Sequence, residues 1–414
     1  MKIELVTIGD ELLLGFTVDT NAAHLARELS RVGIEIDRRI TVRDEAPAIA
    51  AAVQEGLDRV GGVITTGGLG PTSDDLTKPA IAALFGREMR FDTEHWEWMS
   101  HRWRERFGRD IPEVNRQQAM VPEGATKLEN HHGSAPGIWL EDDRGRWVAM
   151  LPGVPREMRG MLADALLPLL SERAAGGHVV RSLTLRTTGV PESSIAERVA
   201  TINGGITGVD LAYLPSAAGV DLRITARDLL PEEAERRLVA AATALRSAVG
   251  PMIYGQDDAD MAALVLDACR ARGLSIAVAE SCTGGMLGER LTRIPGSSDV
   301  FLGGVIAYAN EVKSALLDVP AALIRAHGAV SEEVARAMAA GARQRLGAEI
   351  GIGITGVAGP DGGTPDKPVG TVWIAVDFAG DVRPLLLHSW GDRQEVRERA
   401  TQAALNLVKL VVTG

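Results

Sequence analysis

Cysteine is nearly absent: Cys269 and Cys282 are the only two among 414 residues. Two thiols cannot build a disulfide framework and suit a reducing compartment, so a cytoplasmic protein is expected. No apolar run approaches the roughly 18 residues that a membrane span needs. The opening MKIELVTIGDELLLG, with one lysine and early acids, does not read as a secretory signal. Runs of Lys and Arg are missing too, and the formal net charge is -11, which argues against broad binding to a phosphate backbone. Aromatic residues make up only 4%. What is present, 45% hydrophobic and 24% charged residues, is the composition of a globular protein. The chain is too long for one core, and two to four domains are expected.

The first part of the chain alternates strand and helix patterns. KIELVTIG reads as a buried strand, TNAAHLARELSRVG as an amphipathic helix closed by Gly33, IEIDRRITV as a second strand, PAIAAAVQEGLDRV as a second helix, and GGVITTGG as a third strand. That order predicts a mostly parallel, doubly wound α/β sheet with helices on both faces. GIWLEDDRGRWVAML predicts a hairpin turning at Asp142 to Gly145, and PREMRGMLADALLPLL a closing helix. After RAAGGHV comes a small α+β unit: strand, helix, two strands, helix. MIYGQDDA reads as a linker, and a second α/β domain follows. The expected domains are residues 1–172, 176–252 and 253–414.

In the last domain AESCTGG, Ala279 to Gly285, sets three candidate nucleophiles side by side: Ser281, Cys282 and Thr283. A strand ending at Glu280 would place them at a carboxyl edge, where open α/β sheets bind ligands. Gly284 and Gly285 would leave N–H groups uncovered for an oxyanion. A capped helix start with glycines for close packing explains the same stretch equally well. A hydroxyl needs a base, and His327 and His388 lie in unrelated contexts. YANEVK offers Tyr308 and Lys313; if Asn310 caps the next helix, Lys313 falls in its first turn, where the macrodipole disfavours a cation. Partial burial would lower its pKa further and suit it to act as a base. ITGVAGPDGG places Thr355 at another strand end. SWGDRQEV makes Asp392 an N-cap with Glu395 three residues on, so that Arg393 could hold a phosphate at the helix start.

Near the N-terminus, TTGGLGPTSDDLT follows the third strand. Gly67, Gly68 and Gly70 would allow close approach of a phosphate, and Asp74 and Asp75 could hold a divalent cation. IGDELLLG brings Asp10 and Glu11 towards the same edge, with Asp44 just past the second strand. Two capped helix starts joined by tight turns are the alternative. His131 and His132, in a Gly/Pro loop, are read as solvent-exposed.

Five stretches, AESCTGG, GSSDVFLGGVIAYANEVK, HGAVSEEVA, ITGVAGPDGGTPDKPVGTVW and GDR, together resemble the C-terminal domain of the CinA (competence/damage-inducible) family, over nearly all of residues 260–414. That domain is similar to the stand-alone nicotinamide mononucleotide amidase PncC. The resemblance implies hydrolysis of nicotinamide mononucleotide to nicotinate mononucleotide and ammonia without a cofactor. It makes Ser281 the nucleophile, Lys313 its base, Tyr308 an assistant, Thr355 a contact to the reacting centre and Arg393 the phosphate ligand. GDELLLGFTVDTN, TTGGLGPTSDDLT, NHHGSAPG and LPGVPREM resemble the family's N-terminal domain, which is related to molybdopterin-binding proteins. This second resemblance implies an ADP-ribose pyrophosphatase dependent on a divalent metal (Mg, Mn or Co), with potassium as a further ion. Gly67, Gly68, Gly70 and Thr72 would then form the diphosphate loop, and Asp74, Asp75 and Asp44 would be metal ligands. The middle unit resembles the family's KH-type insert, but its GITG lacks flanking Lys or Arg and no RNA binding is expected. A homodimer is expected as well. The rival reading is a scaffold in competence or DNA repair with inactive sites.

Overall fold

The computed structural model describes residues 1–174, 178–202 and 206–413. Contacts divide the chain into two compact units, Met1–Ser182 with Thr225–Leu238, and Leu183–Ile224 with Val239–Gly414. No helix among the described residues is long and apolar enough to cross a membrane.

In the N-terminal unit, β1 (Lys2–Ile8), β2 (Glu35–Val42) and β3 (Gly62–Thr66) alternate with helices as expected. A short ladder joins β4 (Met89–Phe91) to β5 (Met120–Pro122). With β6 (Thr126–Leu128), β7 (Gly137–Glu141) and β8 (Trp147–Leu151), the main strands form a sheet of order β2-β1-β3-β8-β7-β6. β1, β2, β3 and β8 are parallel, and β7 runs antiparallel to both β6 and β8. Strand side chains alternate between faces. Ile3 and Leu5 therefore pack with Ala22, Leu25 and Leu29 of helix Thr20–Arg31, while Val6 and Ile8 pack with Ile49, Val53 and Leu57 of helix Ala46–Val60. Helices on both faces make three layers, the cover that a parallel sheet requires. The hairpin turns where expected, with Asp142 Oδ1 accepting the N–H groups of Arg144 and Arg146, both at 2.9 Å. The closing helix is interrupted: a π turn, Leu162–Leu166, separates Pro155–Met161 from Leu167–Ala174.

The middle module has β9 (Val179–Thr187), β10 (Asp210–Pro215) and β11 (Val220–Leu229) with helices Glu192–Ala200 and Pro231–Val249. The stretch read as a linker is its fourth strand. β12 (Ile253–Gln256) pairs antiparallel with β9 through Ile253↔Thr187 and Gln256↔Leu185, giving the order β10-β11-β9-β12. Four residues interrupted by Gly255 show no alternation of their own, so only the partner strand reveals them. Gly205 of GITG lies outside the described residues.

In the C-terminal unit, β13 (Ile276–Glu280), β14 (Phe301–Ile306), β15 (Ile350–Gly356), β16 (Thr371–Phe378) and β17 (Asp381–His388) have the order β14-β13-β15-β16-β17. β13, β14 and β15 are parallel, and β16 runs antiparallel to both β15 and β17. The IGIGI of β15 sorts itself by face. Ile350, Ile352 and Ile354 enter the core under helices Met261–Ala271 and Arg393–Thr413. Gly351 and Gly353 lie under helix Glu332–Leu346, where a Cβ would come within 2.0 Å of Ala339 O and 2.3 Å of Ala335 O respectively. Alternating glycines thus let that helix rest its backbone on the sheet.

Candidate active site

Beyond Glu280 the Ser281 N–H donates to Ile354 O at 2.9 Å, carrying the β13–β15 ladder one residue further. Strand alternation then sorts the candidates. Ala277 and Ala279 pack with Leu317, Val334 and Met338 of the helices Asn310–Leu317 and Glu332–Leu346. Ser281 follows in the same phase, towards the helix that carries Lys313. Ile276 and Val278 belong to the opposite core, and Cys282 joins it beside Leu287 and Leu291. Burial pushes the Cys282 thiol up to about 12, so it stays protonated at neutral pH.

Lys313 is only 1% exposed. Its Nζ donates to Ala307 O at 2.8 Å, to Ser281 Oγ at 3.2 Å and to Tyr308 O at 3.3 Å. Burial lowers its pKa below that of an ordinary lysine, with Cys282 and Glu311 pulling the other way. Asn310 is not the cap expected for this helix: the capping position is Ala309, without a side-chain bond, and Lys313 still lies in the first turn, its N–H donating to Ala309 O. Thr355, on the neighbouring strand, donates its hydroxyl to Ala329 O at 2.8 Å. Arg393 donates to Gly359 O at 2.7 Å and to the hydroxyl of the exposed Tyr308 at 3.1 Å. The capping box forms as expected: Glu395 N–H donates to Asp392 Oδ1 at 2.9 Å, and Asp392 N–H to Glu395 Oε2 at 3.0 Å. Three strand ends and two helix starts therefore meet at one edge, bringing together Ser281, Tyr308 and Thr355 with Lys313 and Arg393.

The glycines serve differently from expectation. Gly284 N–H donates to Ser281 O at 3.1 Å and Gly285 N–H to Glu280 Oε2 at 3.1 Å, so both are taken by the turn itself. Thr283 does not cap the helix that follows. Gly284 (φ 60) and Gly285 (φ 96) intervene, Gly285 holds the capping position before Met286–Thr292, and Thr283 Oγ1 is buried without a partner among the described residues. Glu280, which sequence reasoning passed over, takes the capping role.

At the N-terminal edge the TTGGLGPTSDDLT loop is held by its own residues. Asp75 Oδ1 accepts the Gly70 N–H at 2.7 Å, and Oδ2 accepts the Thr72 N–H and hydroxyl at 2.8 and 2.6 Å. Gly67 N–H donates to Leu151 O at 3.1 Å. A Cβ on Gly68 would stand 2.1 Å from Thr77 Oγ1, whose hydroxyl donates to Gly67 O. These glycines fit the packing of the loop onto itself, and the N–H groups of Gly67, Gly70 and Thr72 all have internal acceptors.

Asp44 accepts the Asp10 N–H at 2.9 Å; burial raises its pKa, and so do the nearby charges of Glu11, Asp10 and Asp74. Asp74 is exposed. These carboxylates offer the hard oxygen donors that Mg or Mn takes. Both oxygens of Asp75 are already engaged, however, and among the described residues no group of three or more His, Cys, Asp or Glu converges as a ligand set. As arranged, the residues do not fit a metal. His131 is exposed as read, but His132 is half-buried and its Nε2 lies 3.0 Å from Asp164. No sequence signal pointed to Lys78, at the start of the following helix. It is buried, its Nζ donates to the carbonyls of Gln117 and Gln118, and burial lowers its pKa to about 8.

The state of Asp75 is testable. Asp75→Asn places an amide N–H against an N–H of the loop and should cost about 1–3 kcal/mol. For a unit of this size that is about 2–4 °C of melting temperature per kcal/mol. The drop is expected to be the same with chelator and with added Mg; a drop seen only with Mg would mark Asp75 as a ligand.

Comparison with known proteins agrees along the whole chain. Residues 258–412 match the family model of the CinA C-terminal domain, residues 4–172 that of a probable molybdopterin binding domain, and residues 182–255 that of the damage-inducible protein CinA KH domain. The chain is 63% identical over 410 residues to a CinA-like protein of Gemmatimonas aurantiaca, covering 99% of this chain and 96% of that one. It is 44% identical to a CinA-like protein of Salinibacter ruber, covering 98% of each chain. A putative competence-damage inducible protein of Desulforudis audaxviator is 41% identical, covering 99% of this chain and 98% of that one. The architecture is accordingly a molybdopterin-binding-like α/β domain, a KH-like module and a C-terminal CinA domain. With three consecutive models and relatives spanning its full length, the chain belongs to the CinA family.

Proposed function

We propose that the C-terminal site hydrolyses the carboxamide of nicotinamide mononucleotide through an ester on Ser281. The observation that carries this reading is a buried Lys313 whose Nζ lies 3.2 Å from Ser281 Oγ. As a neutral amine Lys313 has two hydrogens and one lone pair. The hydrogens go to the carbonyls of Ala307 and Tyr308, which leaves the lone pair facing the serine hydroxyl. A serine–lysine pair needs no histidine.

As Ser281 Oγ attacks the carboxamide carbon, its proton passes to Lys313 Nζ. Collapse of the tetrahedral adduct breaks the C–N bond, Lys313 returns the proton to the departing nitrogen, and ammonia leaves. Water, deprotonated by the same amine, then adds to the ester. The C–Oγ bond breaks, Lys313 returns the water's proton to Ser281, and nicotinate mononucleotide departs as a carboxylate, its acid proton passing to solvent. Arg393 binds the phosphate: a guanidinium has five N–H donors, and the bonds to Gly359 and Tyr308 fix its direction while using two.

For the N-terminal unit no pyrophosphatase step is derived, because Asp75 is spent on its own loop and no ligand set converges among the described residues.

The test is ammonia release from nicotinamide mononucleotide by the full chain. Arg393→Ala should raise KM by about 10- to 100-fold, the worth of one charged hydrogen bond, with a smaller change in kcat. A folded protein that releases no ammonia would favour the scaffold reading, and an unchanged KM would move the phosphate elsewhere.

A further inference from the structure

We propose that Glu280 and Arg397 are positioning residues that clamp the Ser281 turn from opposite sides. This inference rests on Ser281 being the nucleophile. Between β13 and the helix Met286–Thr292 the chain passes through two consecutive left-handed glycines, with no side-chain cap from Ser281, Cys282 or Thr283. The turn therefore lacks hydroxyl bonds of its own, as the unpartnered Thr283 Oγ1 illustrates.

Two outside groups replace them. The Glu280 carboxylate, 1% exposed, accepts the N–H groups of Gly285 at 3.1 Å, Leu287 at 3.0 Å and Gly288 at 2.8 Å. Arg397 reaches in from the last helix, where Nη2 and Nε donate to Thr283 O at 2.8 and 3.2 Å. Strand alternation points Glu280 away from Ser281, so it holds the far side of the turn without entering the reaction. The anion gathers three N–H donors, the cation takes the carbonyl between, and the short stretch between them carries the nucleophile.

The consequence is geometric. A hydroxyl displaced by about 1 Å from its base can lose on the order of 100-fold in rate. In Glu280→Gln one carboxylate oxygen becomes an NH2 that meets an N–H of the turn donor to donor. Arg397→Ala frees Thr283 O. Both variants of the full chain should lower kcat by about 10- to 100-fold with KM for nicotinamide mononucleotide changed less than about threefold. The rate at which a fluorophosphonate labels Ser281 should fall in parallel. Arg397→Lys, which still supplies a donor, should recover part of both rates. If Glu280→Gln fails to fold, Arg397→Ala, altering a partly exposed side chain, carries the test.

A merely structural cap would show losses of kcat and labelling that track only the fraction of unfolded protein, and that result overturns the proposal. So does full activity in both variants. Absence of both ammonia release and Ser281 labelling in the unsubstituted protein would instead remove the nucleophile reading, and this inference with it.

Discussion

Ser281→Ala is expected to abolish ammonia release, lowering kcat by on the order of 10⁴-fold or more, because nucleophile and base act as a unit. Cys282→Ala is expected to stay within about threefold of the unsubstituted rate and to lose about 1 kcal/mol of stability from the small void it leaves. The contrast is sharp because the two residues are adjacent. Cysteine is the better intrinsic nucleophile, yet a thiol reacts as its thiolate, and burial among Leu287 and Leu291 holds Cys282 at about 12. One residue earlier the chain faces the other way, towards Lys313 Nζ. Binding of nicotinamide mononucleotide by Ser281→Ala, measured by calorimetry, should survive, since Arg393 is untouched. An active Ser281→Ala together with an inactive Cys282→Ala would reverse the assignment.

Lys313→Arg is expected to be nearly as inactive as Lys313→Ala, with a loss of about 10²–10⁴-fold, the usual contribution of a general base. A guanidinium keeps the charge but does not give up its proton at working pH. Lys313→Met separates size from chemistry: it keeps the volume of a side chain that is only 1% exposed, and it should be equally inactive. The pH dependence follows from the direction of the shift. In the proposed mechanism neutral Lys313 is the active form, so kcat/KM is expected to rise with pH through the folded pKa and to fall away below it. Because burial lowers that pKa, the rise should come well below the range of an ordinary lysine. Added methylamine should partly restore Lys313→Ala. An arginine variant within about tenfold of full activity, on the same pH profile, would reduce Lys313 to an electrostatic anchor and place the base elsewhere.

Much of the fold was legible because it is written in local patterns. The apolar runs of β1, β3 and β13, the amphipathic helices between them and the Asp392–Glu395 capping box all formed as read, since each depends on residues a few positions apart. β12 was not legible: its four residues make sense only against β9. Of the site, the alternation of β13 already contains the separation of Ser281 from Cys282, although sequence could not say which face the base would occupy.

By itself the sequence determined the two α/β sheets, the strand ends that carry polar residues, and membership in a family. Tertiary structure alone decided what each polar group is spent on. Asp75, read as a metal ligand, turned inward to accept three hydrogen bonds from Gly70 and Thr72, and the N–H groups of Gly284 and Gly285 went to Ser281 O and to Glu280. Lys313 took its two carbonyls from the residues just before its own helix, and its serine from the end of the neighbouring strand β13, 32 residues away. The physical reason is that periodicity and capping are satisfied within one turn or one pleat. A donor or acceptor instead takes whichever partner the folded chain brings within about 3 Å, and that partner can lie three residues away, as Thr72 does from Asp75, or 114, as Thr283 does from Arg397.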